Sequence, residues 1–190
     1  MSEKIRDRVY VVTGGARGIG QGIAASLSAA GGRIAILDLD QASMDEAARE
    51  IGGDVRTYVC NITDEAAVEE TFTRIVSDFG RIDGLVNNAG IEVYKSVADT
   101  TMADFQRVMD VNVTGVFMGI KLAADLLAES GNASIINLSS IAGLAGYRNQ
   151  VAYCTSKAAV RNMTKASAVE FARNRQKIRA NSVHPGIIET

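Results

Sequence analysis

The segment Val151-Ala-Tyr153-Cys-Thr-Ser-Lys157 sets a phenol and an ammonium group one helical turn apart, with Ser139 and Ser140 upstream. Side chains four residues apart on a helix project from one face, so Lys157 can sit beside Tyr153. A free tyrosine titrates at about 10, too high for proton exchange near neutral pH. A neighbouring positive charge favours the phenolate and lowers that value; bringing it to about 7 takes roughly 4 kcal/mol of differential stabilisation. The pattern suits a general acid/base acting on an alcohol or carbonyl oxygen. Taken alone, Tyr-x-x-x-Lys is also an ordinary solvated helix face. Of the five tyrosines, however, only Tyr153 has a lysine four residues on, and a nucleotide-binding pattern precedes it.

That pattern is Thr13-Gly14-Gly15-Ala16-Arg17-Gly18-Ile19-Gly20, which follows an apolar run and leads into an amphipathic one. Small residues let the backbone turn tightly and approach a pyrophosphate, whose charge a helix N-terminus favours. Without its context a glycine cluster is only a tight turn; strand, glycines and helix in this order meet the test for a dinucleotide loop. The second apolar run ends in Asp38, whose carboxylate can accept both adenosine ribose hydroxyls and repel a 2′-phosphate, favouring NAD over NADP. The plain alternative for Asp38 is a solvated strand-end acid, as for Asp40. Arg17 pulls the other way, because a guanidinium in the loop can pair with a 2′-phosphate. No base follows Asp38, the next residue being Leu39, so the balance favours NAD as cofactor.

These groups need a scaffold. Short apolar runs alternate with longer amphipathic ones, which predicts a parallel sheet with helices on both faces. Strand candidates are Val9–Thr13, Arg33–Asp38, Arg56–Cys60, Gly84–Asn87, Ser134–Ser139 and Arg179–His184, mostly Val, Ile and Leu as suits strands covered on both sides. Helix candidates are Gly18–Ala30, Gln41–Ile51, Asp64–Phe79, Thr101–Ala128 and Gln150–Arg173. Asp40 can cap the second helix, and Thr63-Asp-Glu-Ala opens the third with capping and acidic residues. The single proline, Pro185, follows the last strand, where a broken ladder does no harm. The series predicts an α/β, doubly wound Rossmann fold of three layers and strand order 3-2-1-4-5-6, binding ligand at the carboxyl ends of the strands.

A chain of 190 residues fits one such nucleotide-binding domain with a substantial core. A net charge of −2 and a pI of about 5.5 suggest no basic surface for nucleic acid or an anionic membrane. Cys60 and Cys154 form no CxxC pair and His184 is the single histidine, which argues against a metal site. Reduced thiols in a cytoplasmic protein are the economical reading. The charged N-terminus lacks the apolar stretch of a signal peptide, and no segment approaches the roughly 18 consecutive apolar residues of a membrane helix.

Thr13-Gly-x-x-x-Gly-Ile-Gly20, Asn87-Asn88-Ala89-Gly90, Asn112, Ser140, Tyr153-x-x-x-Lys157 and Pro185-Gly186 occur in the order of the short-chain dehydrogenase/reductases. The chain closely resembles their classical subgroup from about the first strand to its last residue. The resemblance implies an NAD-dependent oxidoreductase interconverting a secondary alcohol and a ketone. Tyr153 would be the general acid/base, and Lys157 would hold the nicotinamide ribose and lower the phenol's pKa. Ser140, picked over Ser139 by its interval to Tyr153, would hydrogen-bond the substrate oxygen. Asn112 would anchor a water linking Lys157 to solvent. A mid-helix asparagine is mildly unfavourable, which hints at a role; its plain alternative is a polar residue tolerated at a local kink.

The resemblance also implies cofactor contacts at Gly14, Arg17, Gly18, Ile19 and Gly20 in the glycine loop, and at Asp38 and Leu39 after the second strand. Others fall at Asn61 and Ile62 after the third strand, at Asn88, Ala89 and Gly90, at Val111 in the fourth helix, and at Tyr153 and Lys157. Pro185, Gly186, Ile188 and Thr190 complete the set around the nicotinamide carboxamide. Asn61 stands where the family often has an aspartate touching the adenine amino group, and its oxygen can still accept that bond. Asn88–Gly90 could equally brace the sheet, and His184 reads as structural. Substrate contacts fall to Ser140, Tyr153, Leu144 and Tyr147, with Ala145, Ile91 and Val93 near them, which suggests an apolar or alicyclic substrate.

Family members normally continue through a helical substrate lid and a seventh strand, so a chain ending at Thr190 is expected to be truncated. Its pocket would then lie open to water and its last strand would be a bare edge. Two alternatives follow: an NADP-dependent ketoreductase, and a nucleotide-binding module without catalysis. The family pairs the helices corresponding to Thr101–Ala128 and Gln150–Arg173 across a two-fold axis, which implies a homodimer or homotetramer. Met109, Val113, Phe117 and Met163 are extra apolar residues there, of which the sheet can claim at least half.

Overall fold

Six strands, β1 (Val9–Thr13), β2 (Arg33–Asp38), β3 (Val55–Val59), β4 (Gly84–Asn87), β5 (Ala133–Leu138) and β6 (Ile178–Val183), form one parallel sheet. The structure is a computed structural model and describes residues 4–188. The strand order is β3-β2-β1-β4-β5-β6, as the alternation of apolar and amphipathic runs predicts. β1, β2 and β4 fall on their expected bounds, whereas β3, β5 and β6 each begin and end one residue earlier.

Helices α1 (Gly18–Ala29) and α2 (Gln41–Ile51) cover one face, and α3 (Glu65–Phe79), α5 (Gly115–Glu129) and α6 (Val151–Arg173) the other. Alternate strand residues divide between these layers. Val9, Val11, Ala35 and Leu37 pack with Phe72, Ile75 and Leu127, while Val12, Ile34 and Ile36 pack with Ala24 and Met44. Each large side chain so buried contributes roughly 1.5–3 kcal/mol, which explains why the strands are apolar on both sides. Asp40 caps α2 by accepting from the N–H groups of Ala42 and Ser43, and Asp64 caps α3 through the N–H of Ala67.

The expected helix Thr101–Ala128 runs without a break over Met102–Glu129 but carries a widened turn. It comprises α4 (Met102–Met109), a π-helical turn at Asp110–Thr114, and then α5. The side chain of Asn112 accounts for the widened turn. Its Oδ1 accepts from Ile91 N at 2.8 Å, and its Nδ2 donates to Ile91 O at 2.8 Å and Ser156 Oγ at 3.0 Å. Such bulges inside α-helices are frequent at functional sites. By length and composition Met102–Glu129 could cross a membrane, but here Val116, Ile120, Ala123 and Leu127 are buried against the sheet. Among the four apolar residues considered for subunit contact, Met163 packs on this core, whereas Phe117 is 51% exposed.

β1 lies between β2 and β4, so the chain leaves the sheet in opposite directions on either side of it. A crevice opens there at the carboxyl ends of the strands. Thr13, Asp38 and Asn87 are the last residues of β1, β2 and β4 around that crevice, in the order Asp38, Thr13, Asn87 across the sheet.

Candidate active site

The glycine loop leaves β1 with Gly14 at φ 62° and enters α1 at Gly18 with φ 56°, a conformation that costs L-residues strain. A Cβ on Gly20 would lie 2.1 Å from Gly14 O, so the first turn of α1 is pressed against the loop. Asn88 closes the other side: its Nδ2 donates to Thr13 O at 3.0 Å and Gly14 O at 2.9 Å. The N–H groups of Asn88 and Ala89 both donate to Thr13 Oγ1 at 3.1 Å. Asn88–Gly90 therefore braces the sheet and lines the crevice at once.

A cavity of about 400 Å³ runs along this loop. Of the expected cofactor residues, Gly14, Arg17, Gly18, Ile19, Asp38, Leu39, Asn61, Ile62, Asn88, Ala89, Gly90 and Val111 line it. Gly20 acts from behind, by the close approach just described. The Asp38 carboxylate accepts from Ala16 N at 3.3 Å and Leu39 N at 2.8 Å, which still leaves acceptor sites on both oxygens. Asn61 differs from expectation. Its Oδ1 already accepts from Thr63 N at 3.1 Å and Thr63 Oγ1 at 2.8 Å, so both lone pairs offered to adenine are used locally.

A second cavity, of about 260 Å³, shares Ile19, Asn88, Gly90 and Ile91 with the first, so the two form one cleft. Ser140, Tyr153, Lys157, Pro185 and Gly186 line it. Four connections converge here: the ends of β4, β5 and β6, and the first turns of α6. Lys157 is only 5% exposed and donates from Nζ to Leu138 O at 2.7 Å. Burial lowers its pKa to about 8. Ser139, also buried, donates to Lys157 O at 2.8 Å and is thereby structural. Ser140 accepts from Ala142 N at 3.1 Å. His184 fixes Ser140 from behind, with Nδ1 3.1 Å from Ser140 O and Nε2 2.9 Å from Ser182 Oγ.

The expected acidification of Tyr153 by Lys157 is not what the protein groups alone produce. Burial pushes the Tyr153 phenol up; Ser140 pulls it down in part, and the carboxylate of Glu92 adds to the rise. Lys157 Nζ sits 5.6 Å from the ring centroid with one proton committed to Leu138 O. Asn112 is fully buried, and both protons of its amide are donated to protein oxygens. The side chain ties the β4 loop to α6. A Cβ on Gly90 would be 3.2 Å from Asn112 Oδ1 and 3.4 Å from Lys157 Nζ, so the three groups are packed together.

Some expected residues stay apart. Leu144 and Tyr147 are 57% and 43% exposed and line neither cavity. Ile91 lines both, whereas Val93 lines neither. Ile188 lines neither of these but an apolar cavity of about 590 Å³ between α1 and strands β4 and β5, which shares Ile19, Leu138 and Pro185 with the second, and Thr190 lies outside the described residues. Glu92 lines the second cavity and was not foreseen; its sequence signal was its place directly after Asn87-Asn-Ala-Gly-Ile91. An extended cleft with a glycine loop on one wall, a free-faced carboxylate at one end and the Tyr153–Lys157 pair at the other fits a dinucleotide.

Comparison with known proteins agrees with this geometry. Residues 8–190 match the family described as short chain dehydrogenase. A levodione reductase of Leifsonia aquatica is 35% identical over 98% of this chain and 72% of its own length. An NADP-dependent (R)-specific alcohol dehydrogenase of Lentilactobacillus kefiri is 40% identical over the whole chain and 77% of its own. The crystal structure of an NAD+-bound xylitol dehydrogenase superposes with a TM-score of 0.94 at 37% identity, covering 98% of this chain and 73% of that one.

Proposed function

Because this chain belongs to the short-chain dehydrogenase family, we propose that it interconverts a secondary alcohol and a ketone using NAD(H). The observation that carries the reading is the single cleft joining the Asp38 carboxylate to the Ser140, Tyr153 and Lys157 side chains. One relative is NADP-dependent and one neighbour was solved with NAD+, so cofactor choice rests on this chain's own residues. Asp38 keeps acceptor sites for the ribose hydroxyls and opposes a 2′-phosphate. Arg17, on the same wall, is the one cation there that favours the phosphate.

In the oxidative direction Tyr153, as phenolate, takes the hydroxyl proton of the substrate. Ser140 Oγ donates a hydrogen bond to the oxygen as negative charge develops on it. The bound nicotinamide supplies the hydride exchange with the carbinol carbon. Lys157 has three donors, of which Leu138 O takes one; the other two are assigned to the nicotinamide ribose hydroxyls. So placed, the ammonium opposes the upward push of burial on Tyr153. Asn112 keeps the β4 loop and α6 in register beneath this pair. A homodimer is inferred through the exposed Phe117 and Val169 on α5 and α6.

The test is NAD+-dependent oxidation of a panel of secondary alcohols, with titration of NADH against NADPH. Turnover with NADH bound about tenfold more tightly is the expected result. NADPH binding as tightly as NADH overturns the NAD assignment. Sound cofactor binding with no turnover on any alcohol or ketone returns the protein to a nucleotide-binding module.

A further inference from the structure

Glu92 is the one carboxylate lining the catalytic end of the cleft among the described residues, and Lys157 is the one cation lining it. Glu92 is held there from both sides. Ile91, its neighbour, exchanges two hydrogen bonds with Asn112. On the other side Lys95 N donates to Asn149 O at 2.9 Å, and Lys95 forms a β-bridge with Gln150. Gln150, immediately before α6, donates from Nε2 to the Glu92 carboxylate. The same short path that positions Tyr153 therefore positions Glu92. Lys95 does not neutralise it, because its Nζ is paired with Asp104 at 2.7 Å.

A carboxylate accepts at two oxygens and donates nothing. Gln150 occupies one of these acceptor sites, and the exposed Glu92 side chain lines a cavity whose one lining cation, Lys157, is buried. We propose that Glu92 is a specificity-determining residue that selects substrates carrying a second hydroxyl close to the reacting carbinol, and rejects substrates carrying a carboxylate or phosphate there. The substrate class is then a polyol or hydroxyketone rather than the apolar alcohol suggested by Ile91, Leu144 and Tyr147. A hydroxyl donating to Glu92 orients the carbinol toward Ser140 and Tyr153. A site built to hydrogen-bond a hydroxyl discriminates strongly against the analogue lacking it.

This assignment rests on the oxidoreductase reading above, and the experiment separates the two. Kinetic constants are compared for sec-butanol, vicinal butanediol and β-hydroxybutyrate, three alcohols on one four-carbon frame, in wild type and Glu92→Gln. Wild type is expected to prefer the diol over sec-butanol in kcat/KM and to disfavour the hydroxy acid. In Glu92→Gln the diol-to-monoalcohol ratio falls about tenfold and the hydroxy-acid-to-monoalcohol ratio rises by a similar factor. The second change is a gain, which mere damage to the loop does not give. Turnover of sec-butanol with both ratios unchanged in the variant overturns the Glu92 assignment alone. No turnover of any of the three by wild type, with cofactor bound, overturns it together with the reading it rests on.

Discussion

At the Asp38 end of the cleft one wall is a glycine loop pressed against neighbouring backbone, whereas the Tyr153 end is lined by side chains delivered from four separate connections. The glycine loop, the turn after Asn87 and the end of β2 approach one another because nothing larger than hydrogen stands at Gly14 or Gly20. That half is shaped by close backbone approach, with Asp38, Arg17 and Asn88 supplying its main polar side chains. The other half depends on Ser140 held by His184, Lys157 held by Leu138 O, and Glu92 held by Gln150. A backbone-built half should fail through shape, and a side-chain-built half through chemistry.

Tyr153→Phe is expected to break the contrast most visibly. It should lower kcat by about 10²–10⁴-fold while NADH affinity, read by fluorescence titration, changes only a few-fold. A comparable loss of affinity would show that the halves are not separable. Gly20→Ala should do the reverse at the other end. Its new Cβ would lie 2.1 Å from Gly14 O, and relief of that overlap costs roughly 1–3 kcal/mol or more, seen as lost cofactor binding and a lower Tm. Gly22→Ala, where a Cβ meets nothing within 4 Å, is its control and should stabilise α1 by about 0.5–1 kcal/mol.

Asp38→Ala sharpens the comparison within the backbone half. It should raise NADPH affinity relative to NADH by about tenfold, with kcat for the preferred alcohol little altered. An unchanged ratio would move cofactor choice to Arg17. A further effect concerns pH and the cofactor-free protein. Burial lowers the Lys157 pKa to about 8 from an ordinary 10.5. Between those values the unfolded chain binds a proton that the folded one lacks, so stability rises with pH across that window. Below about 8 both states carry the charge and the full burial cost opposes folding. Lys157→Met removes this dependence. Its stability difference from wild type, measured by urea titration, should change by at most about 1.4 kcal/mol per pH unit between pH 8 and 10.5.

Much of the backbone half was legible because its signals are local. A strand, glycines at fixed spacing and a helix occupy consecutive residues, and each glycine has a steric reason that a motif records. Tyr153 and Lys157 were legible for the same reason, one helical turn joining them. The turn in which the Asn61 oxygen accepts from Thr63, only two residues away, is one that periodicity does not reveal. Leu144 and Tyr147 were placed near the substrate by their nearness to Ser140 along the chain, yet the 3₁₀ turn at Ile141–Gly143 carries them outward. Asn112 was noticed as an oddity in a helix, but its partner Ile91 is distant in sequence, and so the π-helical turn went unseen.

By itself the sequence determined the α/β alternation, the strand order that follows from it, and the presence of a Tyr-x-x-x-Lys turn downstream of a dinucleotide loop. These depend on periodicity and on steric limits acting within a few residues. Only the tertiary structure decided which groups share the catalytic end of the cleft. Burial there raises the Tyr153 phenol and lowers the Lys157 ammonium, and the Gln150 contact brings the Glu92 carboxylate beside them. Desolvation and cross-element hydrogen bonds depend on what surrounds a group in space, and neighbours along the chain do not specify that.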